Sequence, residues 1–268
     1  MKQAASRQKS TPRFSIVTVV LNDCMGLEKT LNSVAQQTLS SWEQVVIDGC
    51  STDGTQQLIR QRHNQIDDWV SEPDEGIYDA MNKGLSRCSG DYVYFLNAGD
   101  YFCHNQVLKN VANYLAQVPV DLIYGRVKKK FKDFEDINHG RIEKIMFGQM
   151  PPHQASFVAR HVLIKLDGFN TDYKSSGDFD FFCRLLKNGC SCRRVPDIIA
   201  YFMAGGMSSN RSIALRETYS IIKKHFGWHY AAWFYFERKI LRLGRIKLAI
   251  KKMLVRLRLG FIVDWLVK

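Results

Sequence analysis

Residues 14–21 read FSIVTVVL, an unbroken apolar and β-branched run of strand length that ends on Asn22 and Asp23. A run of this kind is apolar on both faces and is buried on both. Residues 26–37 follow with apolar positions at Leu27, Leu31, Val34 and Ala35, a helical spacing. A second strand, WEQVVID, occupies 42–48. The alternation continues with a helix at 55–62, a strand at 68–71, a helix at 76–87, a strand at 92–97, a helix at 106–116 and a strand at 121–124. Strands alternating with helices imply an α/β fold, a mostly parallel central sheet with helices on both faces. Ligands bind such sheets in the crevice outside the carboxyl ends of the strands. Asn22, Asp48 and the NAGD stretch at 97–100 all fall at those ends.

The second half is less regular. Residues 126–150 are mixed and charged and read as an insertion or a strand pair. A helix is expected at 178–188, a strand at 195–202, a flexible loop at 204–209 and a helix at 213–226. The chain has 268 residues, 46% of them hydrophobic, enough for one core with an appendage.

The net charge of +12 is unevenly placed. Residues 1–13 carry +4 and residues 238–268 carry +9, which leaves −1 for residues 14–237. A neutral body with basic ends argues for a tethered surface contact and against nucleic-acid binding. The seven cysteines (24, 50, 88, 103, 183, 190 and 192) are scattered, odd in number and form no C-x-x-C pair. They read as reduced thiols in a cytoplasmic protein, without a disulfide framework or zinc. No signal peptide is expected, and no run reaches the roughly 18 apolar residues of a membrane span.

Four acidic clusters remain: DGCSTDGT at 48–55, EPDEGIYDAMNKG at 72–84, NAGD at 97–100 and SSGDFD at 175–180. Glycosyl transfer from a nucleoside diphosphate sugar needs charge neutralisation on the leaving diphosphate, a polar grip on the nucleoside and a general base for the acceptor hydroxyl. Carboxylates at several strand ends supply such parts.

These motifs carry a resemblance. FSIVTVVLN, VVIDGCSTDGT, SEPDEGIYDAMNKGLSRCSGDYVYFLNAGD, PPHQASF, SSGDFDFFCRLLKNG and GGMSSN occur in consistent order over residues 14–210. Together they resemble glycosyltransferase family 2, of the Rossmann-like GT-A fold, and more narrowly the bacterial colanic acid and exopolysaccharide biosynthesis transferases. The resemblance implies a flexible basic N-terminus at 1–13 and a catalytic domain at 14–210. Within that domain, 14–125 forms the nucleotide-binding half and 126–210 the acceptor half. A C-terminal amphipathic helical extension follows at 211–268.

It also implies roles. Thr18 to Asn22 resembles the strand end lining the base pocket, and Asp48 the carboxylate that binds the nucleobase, uracil or guanine. Asp53 resembles the acid beside the ribose, with capping of helix 55–62 as the alternative. Asp79, Asn82 and Lys83 sit on the donor-facing helix, where Asp79 and Lys83 equally suit an i,i+4 ion pair. Asn97 and Asp100 occupy the place of the family's metal-binding D-x-D. Asn97 replaces the leading acid, so Asp100 is expected to hold Mn²⁺ or Mg²⁺ alone or through water, with diphosphate oxygens completing the shell. Asp178 resembles the catalytic base, with Gly177 where the family has glutamate; Asp180 is its competitor, and the two lie on different faces of a helix. His153 is either structural or an acceptor-side or diphosphate contact. Residues 205–208 resemble the loop that closes over the donor.

The tail keeps apolar positions at Ile240, Leu243, Ile246, Ile250, Met253 and Leu257 among basic residues, below an aromatic cluster at 228–236. Basic amphipathic helices of this kind bind anionic bilayers, and the alternative is a helix packed on the domain. The expected protein is an inverting transferase at the cytoplasmic face of the membrane, using a UDP- or GDP-sugar and a polyprenyl-diphosphate-linked glycan acceptor. The competing expectation is a non-catalytic nucleotide-sugar or glycan-binding protein, favoured by Asn97 and Gly177. A nicotinamide enzyme is excluded, because LNDCMGL stands where G-x-G-x-x-G would follow the first strand.

Overall fold

The computed structural model describes residues 13–130, 135–203 and 211–239. The chain runs β1 (Phe14–Val20), α1 (Cys24–Ala35), β2 (Trp42–Asp48), α2 (Thr55–Gln61), β3 (Asp68–Ser71), α3 (Ile77–Arg87) and β4 (Tyr92–Phe95). It continues with β5 (Tyr101–Phe102), α4 (Val107–Gln117), β6 (Leu122–Lys130), β7 (Glu135–Asn138), β8 (Ser156–Ala159) and α5 (Arg160–Lys165). Then come α6 (Gly177–Lys187), β9 (Cys192–Met203), α7 (Arg211–Phe226) and α8 (Trp228–Lys239). One sheet orders the strands β3-β2-β1-β4-β8-β6-β9-β5, with β7 on β6.

The first half follows its sequence pattern closely. β1 pairs in parallel with β2 and β4, and β2 with β3. Every residue of β1 is buried because helices cover both faces. Val20 and Val46 meet Leu27 and Leu31 of α1 and Leu58 and Ile59 of α2. On the other face α3 comes so close that a Cβ at Gly84 would stand 2.3 Å from Val17 Cγ1. Only a glycine permits this approach.

The second half mixes directions: β8 is antiparallel to β4 and β6, and β5 to β9, while β6 and β9 are parallel. Residues 126–150 contain the strand pair β6–β7 and a 3₁₀ turn, Ile142–Phe147. The sequence reading missed β5, β8 and α5, which are only two, four and six residues long. The aromatic cluster at 228–236 lies on α8, within the stretch expected to be a helical extension. Buried Ile221, Ile222, Ala231 and Phe234 join α7 and α8 to the main core. The expected donor loop at 205–208 and all of the basic tail beyond residue 239 lie outside the described residues. Among the described residues, no helix is long and apolar enough to cross a membrane.

Candidate active site

The NAGD turn is built onto the end of β1. Leu96 and Ala98 N–H donate to the Val17 and Val19 carbonyls at 2.9 and 3.1 Å, extending the pairing beyond β4. Gly99, at φ +90°, turns the chain. Thr30 of α1 clamps the turn: its hydroxyl donates to the Asp100 carbonyl at 2.7 Å and accepts from Gly99 N–H at 3.1 Å. Asp100 is 4% exposed. Asn97 Oδ1 is buried and has no hydrogen-bond partner among the described residues. An orphaned buried acceptor costs about 1–3 kcal/mol, so a donor or cation placed there would be favoured.

Asn97 and Asp100 line a cavity of about 460 Å³. Asp23 and Asp74 line it from the ends of β1 and β3, and Lys174 and Ser175 from the segment before α6. Asp178 and His153 line it as well. A second cavity of about 340 Å³ shares His153, Gln154, Ser175, Asp178 and Phe202 with the first, so Asp178 stands on the wall between them. Met150, Leu215, Phe234, Lys129 and Arg238 face this second space.

Asp178 enters on the first turn of α6 and is 6% exposed. Its Oδ1 accepts the Tyr78 hydroxyl at 3.1 Å and Phe179 N–H at 2.9 Å, while Oδ2 meets His153 Nδ1 at 3.0 Å. Burial, then the Asp178 charge, push the Tyr78 hydroxyl well above its ordinary range, so it stays a donor. The segment before the helix is fixed by Glu217 of α7, whose carboxylate accepts the consecutive N–H groups of Lys174, Ser175 and Ser176 at 2.8–2.9 Å.

Asp180 lies about 200° away around the helix and faces α7. Burial alone would raise its carboxyl. Hydrogen bonds from His225 and Arg184 outweigh this, and the charges of Arg184 and Lys224 add, so it is pushed down to about 2. Arg184 Nε is at 2.7 Å and His225 Nε2 at 2.9 Å. Locked in this network, Asp180 lines neither cavity. Of the two acids, Asp178 is the one that lines the cavities.

Several residues expected to bind the donor have protein partners. Thr18 is fully buried and accepts from Gln44 Nε2 at 2.9 Å, because its side chain points into the helix-covered face of the sheet. Asn82 is turned from the cavity: its amide makes a two-way pair with the Phe169 backbone, at 2.7 and 2.8 Å. Neither residue lines the cavity. Asp79 and Lys83 form the i,i+4 ion pair at 3.1 Å, and Lys83 also reaches Glu72 and the Pro73 carbonyl. Backbone donation from Glu75, opposed by burial, and the Lys83 ammonium hold the Asp79 carboxyl low.

Asp48 is fully buried at the end of β2, accepting from Ser71 Oγ at 2.6 Å and from Ser51 N–H. Asn22, at φ +51°, accepts from Thr52 N–H at 2.8 Å. Asp53 accepts from Thr55 Oγ1 at 2.6 Å and from Cys24 N–H at 3.0 Å, so it ties together the first turns of α1 and α2. The Thr55 hydroxyl is the first cause of its lowered carboxyl pKa. Asn22, Asp48 and Asp53 thus form one hydrogen-bonded rim where β1 and β2 end, beside the cavity. The sequence reading missed Asp23, Asp74, Tyr78 and Lys174 as cavity residues. Asp74 and Tyr78 lie inside an acidic cluster already singled out, whereas nothing in the sequence marks Lys174.

A family model described as Glycosyl transferase family 2 matches residues 15–188. An uncharacterized glycosyltransferase of Mycobacterium tuberculosis is 31% identical over 208 residues, 75% of this chain and 79% of that protein. A PGL/p-HBAD biosynthesis glycosyltransferase of Mycobacterium bovis is 30% identical over 206 residues, 75% and 80% of the two chains. Among solved structures, S. aureus TarS 1-349 in complex with UDP-GlcNAc superposes with a TM-score of 0.67 at 20% identity, over 85% of this chain and 76% of that one. The mannosyltransferase PcManGT from Pyrobaculum calidifontis, in complex with GDP-Man and Mn²⁺, gives 0.67 at 19% identity, over 92% and 76%. At these identities the two superpositions speak for the fold.

Proposed function

This chain belongs to glycosyl transferase family 2 and is a glycosyltransferase of the GT-A fold, and from that premise we propose an inverting enzyme with a UDP- or GDP-sugar donor. The acceptor is a hydroxyl of a polyprenyl-diphosphate-linked glycan, and the product a bacterial surface polysaccharide. The observation that carries this reading is that Asp100 and Asp178 line the same cavity, and that Asp178 also opens onto a second one. Donor and acceptor held in the two spaces would meet at Asp178.

The nucleoside end lies toward the Asn22, Asp48 and Asp53 rim, and the diphosphate toward Asn97 and Asp100. Asp178 takes the proton of the acceptor hydroxyl as that oxygen attacks the anomeric carbon. The new C–O bond forms opposite the breaking one, and the nucleoside diphosphate leaves with the bonding electrons. The Asp100 carboxylate and the unpaired Asn97 Oδ1 are hard oxygen donors, suited to Mg²⁺ or Mn²⁺. Among the described residues, no three His, Cys, Asp or Glu side chains converge on a metal position. The chain would therefore supply few ligands and leave the rest to the donor's oxygens. Such an ion, when bound, neutralises charge on the departing diphosphate.

Membrane contact through residues 228–268 completes the proposal and suits a lipid-linked acceptor at the cytoplasmic face. Trp228, Tyr235 and Phe236 of α8 are exposed, and the basic tail follows them.

The test is a thermal-shift panel of UDP- and GDP-sugars with and without Mn²⁺ or Mg²⁺, followed by turnover of the stabilising donor. Donor binding to the folded state raises Tm. The cation effect should vanish in Asp100→Ala. Asp178→Asn should keep the donor shift and lose about 10²–10⁴-fold in turnover. Full turnover by Asp178→Asn would refute the assignment of the base.

A further inference from the structure

A carboxylate offers about four lone-pair positions, two on each oxygen. In Asp178 the Tyr78 hydroxyl and Phe179 N–H occupy both positions of Oδ1, at 3.1 and 2.9 Å. Among the described residues Oδ2 has a single protein partner, His153 Nδ1 at 3.0 Å. An ionised carboxylate has no hydrogen to give, so Nδ1 carries it and donates. The one position that the described residues leave open belongs to Oδ2, on a side chain that faces both cavities. We infer that Oδ2 of Asp178 receives the acceptor proton, and that Tyr78 and His153 are positioning residues that fix its direction. The inference rests on the reading of Asp178 as the base.

Gly177 explains how Tyr78 came to this place. A Cβ on residue 177 would stand 2.8 Å from Tyr78 Cδ2 and 2.9 Å from Cε2. An acid at 177, as in the family pattern, would expel the ring. Its absence lets Tyr78 pack between α6 and Phe169, with ring centroids 5.8 Å apart, and hand its hydroxyl to Asp178. The departure at 177 and the tyrosine at 78 are therefore two halves of one arrangement.

His153 is held with similar firmness. It opens the 3₁₀ turn His153–Ala155, which is tied down by Tyr94 Oη to the Gln154 carbonyl at 2.6 Å and by Ser156 Oγ to the Pro152 carbonyl at 2.8 Å. Its Nε2 is buried and makes no hydrogen bond among the described residues. Among the described residues the polar contact of this ring is the one with Asp178, which supports a positioning role through Nδ1 and leaves Nε2 for a ligand.

The proton balance is simple. The acceptor O–H bond breaks toward Oδ2, the acceptor oxygen bonds to the anomeric carbon, and the diphosphate leaves with the electron pair. The protonated Asp178 returns its proton to water after product release. Tyr78 and His153 keep their own hydrogens throughout.

The experiment measures kcat and KM for the donor identified in the thermal-shift panel, with Kd for UDP or GDP and Tm as folding controls. Tyr78→Phe and His153→Ala should each lower kcat about ten- to a hundred-fold, with donor KM and nucleotide Kd unchanged. A carboxylate that loses a hydrogen-bond donor becomes a stronger base, so a lower kcat reports lost orientation. His153→Asn carries an amide N–H near the Nδ1 position and should recover most of the loss. Gly177→Ala, which crowds the ring, should fall with Tyr78→Phe. A downfield imidazole N–H resonance should be present in the wild type and absent from Asp178→Asn.

Wild-type kcat in both Tyr78→Phe and His153→Ala overturns the inference. So does a loss confined to donor KM, or His153→Asn no better than His153→Ala. Should Asp178→Asn itself stay active, the base assignment fails. Should it be inactive while the positioning variants match wild type, only this inference fails.

Discussion

Replacing Asp180 by asparagine tests how α6 is held against α7. The carboxylate is 1% exposed and carries Arg184, His225 and Lys224 at 2.7, 2.9 and 3.5 Å. Burial works against ionisation there, but the His225 and Arg184 hydrogen bonds and the Arg184 and Lys224 charges hold the group at about 2, against an ordinary 3.8. A difference of this size corresponds to about 2 kcal/mol of stability. Because the folded value is the lower one, that stability is fully present above the unfolded value near 4. It is lost as pH falls from there through 2. Asparagine keeps the shape and cannot ionise, which leaves a buried guanidinium edge without its counter-charge. Breaking such a pair costs about 3–5 kcal/mol. Arg184 retains the Leu166 and Gly168 carbonyls and Lys224 is half exposed, so the lower end, about 3 kcal/mol, is expected. Urea unfolding of wild type and Asp180→Asn at several pH values between 7 and 2 measures both quantities. Other depressed carboxylates, such as Glu43 and Asp121, titrate in both proteins and cancel in the difference. The gap between the two proteins should shrink by about 2 kcal/mol on acidification. A gap that stays constant down to pH 2 would refute the reasoning, since Asp180 would then not be the ionised centre of the network.

Two further outcomes are expected. Asn82→Ala, which removes both bonds to the Phe169 backbone, should lower stability by about 1–3 kcal/mol and leave donor affinity unchanged; weaker donor binding at unchanged stability would return Asn82 to the donor site. A chain ended after Lys239 should lose salt-sensitive co-sedimentation with vesicles rich in anionic lipid, since each basic residue near such a surface contributes about 1 kcal/mol; equal co-sedimentation of both forms would move the contact elsewhere.

The first half was legible because its strands are apolar on both faces and its helices on one. Boundaries at β1, β2, β3, α2 and α3 differ from the expected ones by no more than a residue. In the second half β5, β8 and α5 are too short for any periodicity to register, and their stability comes from neighbours such as β9 and β6. Asp178 and Asp180 show the same divide within one helix. Their spacing already required opposite faces, but which face met the cavities depended on Arg184, His225 and Lys224, and the last two lie more than forty residues away in α7.

Local chemistry along the chain was sufficient to establish an α/β sheet, to put Asn22, Asp48 and the NAGD turn at strand ends, and to single out the acids. It could not tell a cavity-facing polar group from a satisfied one. Thr18 and Asn82 were matched by motif, yet Gln44 and Phe169, their partners, are far from them in sequence. Whether a polar group is spent on the protein or left for a ligand depends on who stands within 3 Å of it, and only the packed chain decides that. The orphaned Asn97 Oδ1 and the open lone pair of Asp178 became visible on the same terms.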